Sequence, residues 1–212
     1  MCAKAVALAA RPEGMPKTSD FQIVDIESND PADGEIQVKN ICMSVDPYMR
    51  GRMVDRKSYV PPFQIGEPLT GGAIGKVIKS AHPDFKEGDF VSSHWGWRDG
   101  FTARAEGIER LGEIVAPASE YLGAIGMPGM TAYAGLLEVG ALKDGETVFV
   151  SGAAGAVGGM EEGRPLSGVG GVRARRGEER AADLSSSSSF CFVHIRLVPW
   201  IFWRFFLNLN IN

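Results

Sequence analysis

The chain of 212 residues is 44% hydrophobic and 23% charged, with 27 glycines and 12 prolines. Those are globular proportions, and they exclude a wholly disordered chain and a collagen-like fibre. A formal net charge of −4 leaves no electrostatic footprint for nucleic acid.

The N-terminus, Met1 to Pro12, is apolar over only a few residues and alternates like a strand. This end lacks the longer apolar core of a signal peptide, so a cytoplasmic location is expected. Three widely spaced cysteines, Cys2, Cys42 and Cys191, argue against a disulfide framework and fit a reducing compartment. Gln22–Ile26 and Glu35–Ile41 alternate polar and apolar residues as half-buried strands do, with the turn pair Asp33-Gly34 between them. Gly71–Lys79 reads as a further strand whose glycines predict a bulge or a close backbone approach. Phe85–Val91 reads as a turn feeding a strand. Short strands with Gly and Pro turns over the first part of the chain predict a small β-barrel or partly closed sheet. The pair Trp95-Gly96-Trp97 after a strand is expected to be barrel packing or a cleft wall.

The pattern then becomes helical. Met130, Tyr133, Ala134 and Leu137 fall at helical spacing and are expected to form one apolar face. Pro128 suits a first helical turn, and Gly140 fits a C-terminal stop. After the polar turn Lys143–Glu146, the run Thr147–Ser151 predicts a fully buried strand. Directly beyond it, Ala153, Gly155 and Gly158 match the spacing of the dinucleotide fingerprint, with alanine in the first place. A small residue turns the chain out of the strand. Gly155 lets backbone approach a pyrophosphate, and Gly158 lets the next helix pack close to its sheet. Gly163 and Pro165 are expected to break that helix within two turns. Residues 160–212 carry seven arginines, no lysine and the serine run Ser185–Ser189, and they sustain neither a helical nor a strand period. They are expected to form an irregular, disordered tail. No run of about 18 apolar residues is present, so no membrane span is expected.

Three segments in order make a resemblance specific: Met43–Met53 with its core Asp46-Pro47-Tyr48-Met49-Arg50, Gly126–Tyr133, and Val150–Gly158. Together they resemble the zinc-independent medium-chain dehydrogenase/reductase superfamily, in the group of leukotriene B4 dehydrogenase, prostaglandin reductase and alkenal double-bond reductase. The resemblance runs to about residue 159 and implies a mixed α/β fold. That fold comprises a GroES-like β-barrel over residues 1–118, the first strand-turn-helix of an incomplete Rossmann domain over 119–159, and the divergent tail over 160–212. It implies an active site in a cleft between two domains and NADP as cofactor. The substrate would be a small-molecule enal or enone whose activated carbon–carbon double bond is reduced, and full-length members would be homodimers. By the same resemblance Tyr48 lines the substrate cleft, and Arg50 is assigned to structure before catalysis. Met127 and Thr131 lie near the nicotinamide ribose, and Ala153, Ala154, Gly155 and Ala156 form the pyrophosphate turn. The residues that would read the 2′-phosphate have no counterpart, so the chain alone is expected to bind NADPH weakly or not at all. A rival reading makes it a non-catalytic fragment acting as a binding module. No zinc is expected, because Cys42 and the scattered His82, His94 and His194 lack ligand spacing.

Overall fold

In the computed structural model the described residues are 2–58, 60–143, 147–148, 155–158 and, by backbone alone, 190–191. They fall in two compact units, Met1–Leu122 and one that opens at Gly123.

The first unit is built on strands. β1 (Cys2–Leu8) lies antiparallel to β2 (Phe21–Glu27) in unbroken register from Cys2↔Glu27 to Leu8↔Phe21. Its inward residues are Ala3, Ala5 and Ala7, all buried, so small side chains set the close approach of this strand to the core. β3 (Glu35–Met43), β4 (Ala73–Ser80), β5 (Phe90–Ser93), β6 (Gly100–Arg104) and β7 (Glu109–Gly112) form a second sheet. Its order is β6-β3-β4-β5-β7, with antiparallel neighbours throughout. β1 seams the two sheets together. Val6 N donates to Trp97 O at 2.8 Å, Asp99 N to Lys4 O at 3.0 Å, and Leu69 N to Val6 O at 2.9 Å. The result is the small, partly closed barrel that the strand pattern predicts.

Inside the sheet Ile36, Val38, Val77, Val91, Phe101 and Ile108 form one core. A second core, Leu8, Met49, Met53, Phe63 and Leu69, lies beneath the short helix α1 (Tyr48–Arg52). The expected glycine approach is real. A Cβ on Gly75 would collide with Val38 Cγ1 and stand 3.0 Å from Lys39 O. The register of β3 on β4 shifts twice nearby, between Gln37 and Val38 and between Asn40 and Cys42.

An ion pair ties the turn before β5 to β7. Arg110 donates to Asp89 from Nε at 2.7 Å and from Nη2 at 3.1 Å, and Lys86 N adds a third hydrogen bond at 2.8 Å. The Arg110 guanidinium, then the Lys86 amide, hold the Asp89 carboxyl below its ordinary range. A carboxyl depressed in the folded state contributes stability above its unfolded value, about 3.9, and loses it as the pH falls through the lower folded value. Asp89→Asn is therefore expected to flatten the acid limb of the stability curve while leaving its slope near neutrality unchanged. Thermal unfolding across a pH series reads this directly.

The second unit holds α2 (Met127–Tyr133), continued without a break by a π-helical segment (Ala134–Val139) that ends at Gly140. Pro128 sits in the first turn as expected. Gly129 has no room for a Cβ, which would fall on the carbonyl of Ala124. The expected apolar face needs correction. Met130 and Tyr133 are 64% and 57% exposed, whereas Ala132 and Leu136 are buried. The buried pair Ala132 and Leu136 is itself four residues apart, so the inward face is a neighbouring one on the same helix. Beyond Tyr133 the turn widens, with Gly140 N donating to Gly135 O at 2.9 Å. Leu136 packs with Val148 of β8 (Thr147–Val148), whose burial agrees with a fully buried strand. The remainder of that predicted strand lies outside the described residues. β9 (Phe190–Cys191) runs parallel to β8, with Val148 opposite Cys191. The rest of the expected tail, with Gly163 and Pro165, lies outside the described residues. Among the described residues no helix is long and apolar enough to cross a membrane.

Candidate functional site

The segment carrying Tyr48 leaves the end of β3. Ser44 N donates to Gly72 O at 2.8 Å and fastens the chain to the start of β4. Pro47 then caps α1 with φ −56°, and Met49 N donates to Asp46 O at 3.0 Å. Proline suits that place because its ring fixes φ near the helical value. One turn of helix separates the roles of its residues. Met49 is buried in the core below, and Tyr48 stands at the surface, 39% exposed. The two arginines of the motif are staples. Arg50 Nη2 donates to Gly14 O at 2.7 Å and to Pro12 O at 3.4 Å. Arg52 donates from Nε to Pro61 O and from Nη1 to Thr70 Oγ1, both at 3.0 Å, and its guanidinium lies 3.9 Å from the centre of the Phe63 ring. The structural assignment of Arg50 made from sequence agrees with these bonds. Guanidinium groups spent on backbone carbonyls fix the loops around α1 and hold Tyr48 in place.

The Trp95-Gly96-Trp97 turn lies against the same strand end. Gly96 N donates to Gly71 O at 2.9 Å, and Asn40 Nδ2 donates to Trp95 O at 2.8 Å and to Arg98 O at 2.9 Å. The two tryptophans divide the alternatives that the sequence leaves open. Trp97 packs against the core under α1, and Trp95 is 40% exposed. Cys42, in the same strand as Met43, is a free thiol whose pKa burial pushes up, which makes it a poor nucleophile at neutral pH. Among the described residues no three of His, Cys, Asp and Glu converge to hold a metal.

In the second unit Met127 is exposed and opens α2, and Thr131 is half-buried with its hydroxyl donating to Met127 O at 2.7 Å. Gly155 and Ala156 are exposed in the turn beyond β8, with Val157 buried behind them. Ala153 and Ala154 lie outside the described residues. Two small, exposed residues in front of a buried valine leave little but backbone at the surface of this part of the turn.

Residues 4–111 match the family model described as the N-terminal domain of oxidoreductase, just over half of the chain. The chain belongs to the zinc-independent medium-chain dehydrogenase/reductase family. Among the reductases of this family, the NADPH-dependent curcumin reductase of Escherichia coli is 42% identical over 151 residues, covering 71% of this chain and 44% of that protein. The 2-alkenal reductase (NADP(+)-dependent) of Nicotiana tabacum is 44% identical over 162 residues, covering 73% and 47%. The crystal structure of CurA from Vibrio vulnificus in complex with NADPH superimposes with a TM-score of 0.67 at 41% identity, over 74% of this chain and 47% of that one. The chain thus spans a little under half the length of these family members. The motif segment from Met43 to Met53 lies inside the family match, and the glycine turn after β8 lies beyond it.

Sequence reading did not single out Met43, Val45 or Trp95 as exposed. An apolar residue in an irregular segment carries no periodic signal, and only the path of the backbone tells a surface methionine from a core one.

Proposed function

We propose that this protein is an NADP-dependent oxidoreductase that reduces the activated carbon–carbon double bond of an enal or enone. The observation that carries the reading is the placement of Tyr48. A rigid proline-capped turn, stapled by Arg50 and Arg52, presents one phenol at the barrel surface within the family-matched segment. The NADP-dependent curcumin and 2-alkenal reductases supply the substrate class. NADPH, when bound, supplies a hydride for the β-carbon of the substrate. Gly155 and Ala156, with Ala153 and Ala154, would hold its pyrophosphate, and Met127 and Thr131 its nicotinamide ribose. Negative charge builds on the carbonyl oxygen as the double bond is reduced. The Tyr48 hydroxyl donates a hydrogen bond to that oxygen, and a proton delivered to the α-carbon completes the saturated product. The free, half-buried Cys42 thiol accords with a cytoplasmic setting.

A second reading, a barrel that binds a partner without turnover, is favoured by one observation: the apolar side chains of Met43, Val45 and Trp95 are exposed on the first unit. Incubation of the full chain with NADPH and benzylideneacetone separates the two. Stoichiometric loss of NADPH with formation of the saturated ketone supports the reductase. An untouched enone, together with nicotinamide fluorescence unaltered on titration, supports the binding module.

A further inference from the structure

Three backbone devices build an apolar rim beside Tyr48, all within the first unit. The first is a bulge. The pairing of β3 with β4 passes from Asn40↔Gly75 to Cys42↔Ile74, which leaves Ile41 without a partner across the strands. A bulge re-aims the strand beyond it. Here the strand end delivers Met43 at 40% and Val45 at 70% exposure. The second is a glycine crossing. A Cβ on Gly96 would stand 2.9 Å from Gly71 O, and one on Gly71 would collide with Met49 Cε and lie 3.6 Å from Ser44 O. The turn holding Trp95 therefore closes onto the segment that leads to Tyr48 with no side chain between them. The third is Trp97, held in the left-handed region at φ 59° with its N–H donating to Met43 Sδ at 3.0 Å. A bulky residue at positive φ is strained and persists only where its surroundings impose it. Such strain gathers at ligand sites.

These devices bring Trp95 to the same end of the barrel as Met43, Val45 and Tyr48. The Trp95 ring is fixed there. It stacks on Phe101 with centroids 5.6 Å apart, and the Arg98 guanidinium lies 4.9 Å from its centre. That guanidinium is engaged elsewhere, with Nη2 donating to Leu69 O at 3.1 Å and Nε to Gly96 O at 3.3 Å. What the rim offers a ligand is thus a rigid aromatic edge flanked by a thioether and an isopropyl group.

We infer that Trp95, with Met43 and Val45, is the specificity surface of this site and takes the apolar aryl body of a ketone or aldehyde whose carbonyl is addressed by Tyr48. The inference rests on the reductase reading for the carbonyl end. The occupant follows from the surface. A preorganised aromatic edge gains area from a flat apolar group at little ordering cost, and a short aliphatic ketone does not extend to it.

The test uses the full chain and benzylacetone, a saturated aryl ketone that cannot alkylate Cys42, with butanone as the short control. Heteronuclear NMR is expected to show a saturable shift of the Trp95 indole N–H resonance with benzylacetone, assigned by its absence in Trp95→Phe. Affinity is expected to fall about tenfold in Trp95→Ala, within what one aromatic contact contributes. Val45→Asp tests the rim without touching the core and is expected to weaken benzylacetone and leave butanone unchanged. Equal affinity for benzylacetone in the parent chain and both variants overturns the inference, as does a failure of benzylacetone to bind at all. A dimer in the parent chain that Val45→Asp dissociates would assign the rim to a second copy and overturn it too. NADPH consumption is read separately. Absence of turnover with rim-dependent benzylacetone binding sinks the reductase reading and keeps the rim. Turnover of benzylideneacetone that is indifferent to both rim variants does the reverse.

Discussion

Phe101→Ala is expected to remove about 3–5 kcal/mol of stability from the first unit, the usual cost of deleting a buried phenylalanine. Phe101 is 3% exposed, sits opposite Val38 across β3 and β6, and packs with Ile36, Val77, Val91 and Ile108. The neighbours are strand residues held by hydrogen-bonded ladders, so they cannot relax far into the space left behind. Because folded domains are stable by only about 5–15 kcal/mol, the variant stands close to the unfolding threshold. Urea unfolding followed by circular dichroism measures the loss, and Phe101→Leu should cost much less because most of the volume is kept. The same ring supports Trp95 from below. Phe101→Leu is therefore expected to loosen the Trp95 side chain, seen as increased quenching of tryptophan fluorescence by acrylamide, without unfolding the barrel. A cost near zero for Phe101→Ala would mean that the sheet interior is not the core described above.

Tyr48→Phe is expected to lower kcat for enone reduction by about a hundredfold with little change in KM, the signature of a hydrogen bond that strengthens as charge develops on the substrate oxygen. The substitution keeps the ring and so keeps the packing of the turn over Met49. It removes only the hydroxyl. Affinity for NADPH should be unchanged, because the residues proposed to hold the cofactor belong to the second unit. Steady-state kinetics with benzylideneacetone, together with a nicotinamide fluorescence titration, separate the two effects. A higher KM at constant kcat would make Tyr48 a wall of the site that does not act on the carbonyl.

Much of the first unit was legible in the sequence because strand alternation is a local property. Gln22–Ile26, Glu35–Ile41 and Gly71–Lys79 were expected as strands, and they appear as Phe21–Glu27, Glu35–Met43 and Ala73–Ser80. Differences of one or two residues at the ends arise where pairing continues past the alternating run. The glycine at position 75 announced a close approach, since only a missing Cβ admits Val38 there. In the second unit the apolar spacing of Met130, Tyr133 and Leu137 points to one helical face, whereas the buried residues are Ala132 and Leu136. Apolar character alone does not tell which of two adjacent helical faces turns inward.

The order of residues by itself determined the strands Phe21–Glu27, Glu35–Met43 and Ala73–Ser80 and, through three motif segments, the family. The strands follow from local alternation, and the family from motifs spread between Met43 and Gly158. Only the tertiary structure decided that Trp97 goes into the core while Trp95 stays at the surface, and that Met43 and Val45 emerge beside it. Those outcomes depend on a bulge at Ile41, a crossing of Gly71 with Gly96 and a strained Trp97, which join segments 25 to 54 residues apart in the chain. Burial is a property of the whole packed surface, so two tryptophans separated by one glycine could not be told apart until the strands around them were in place.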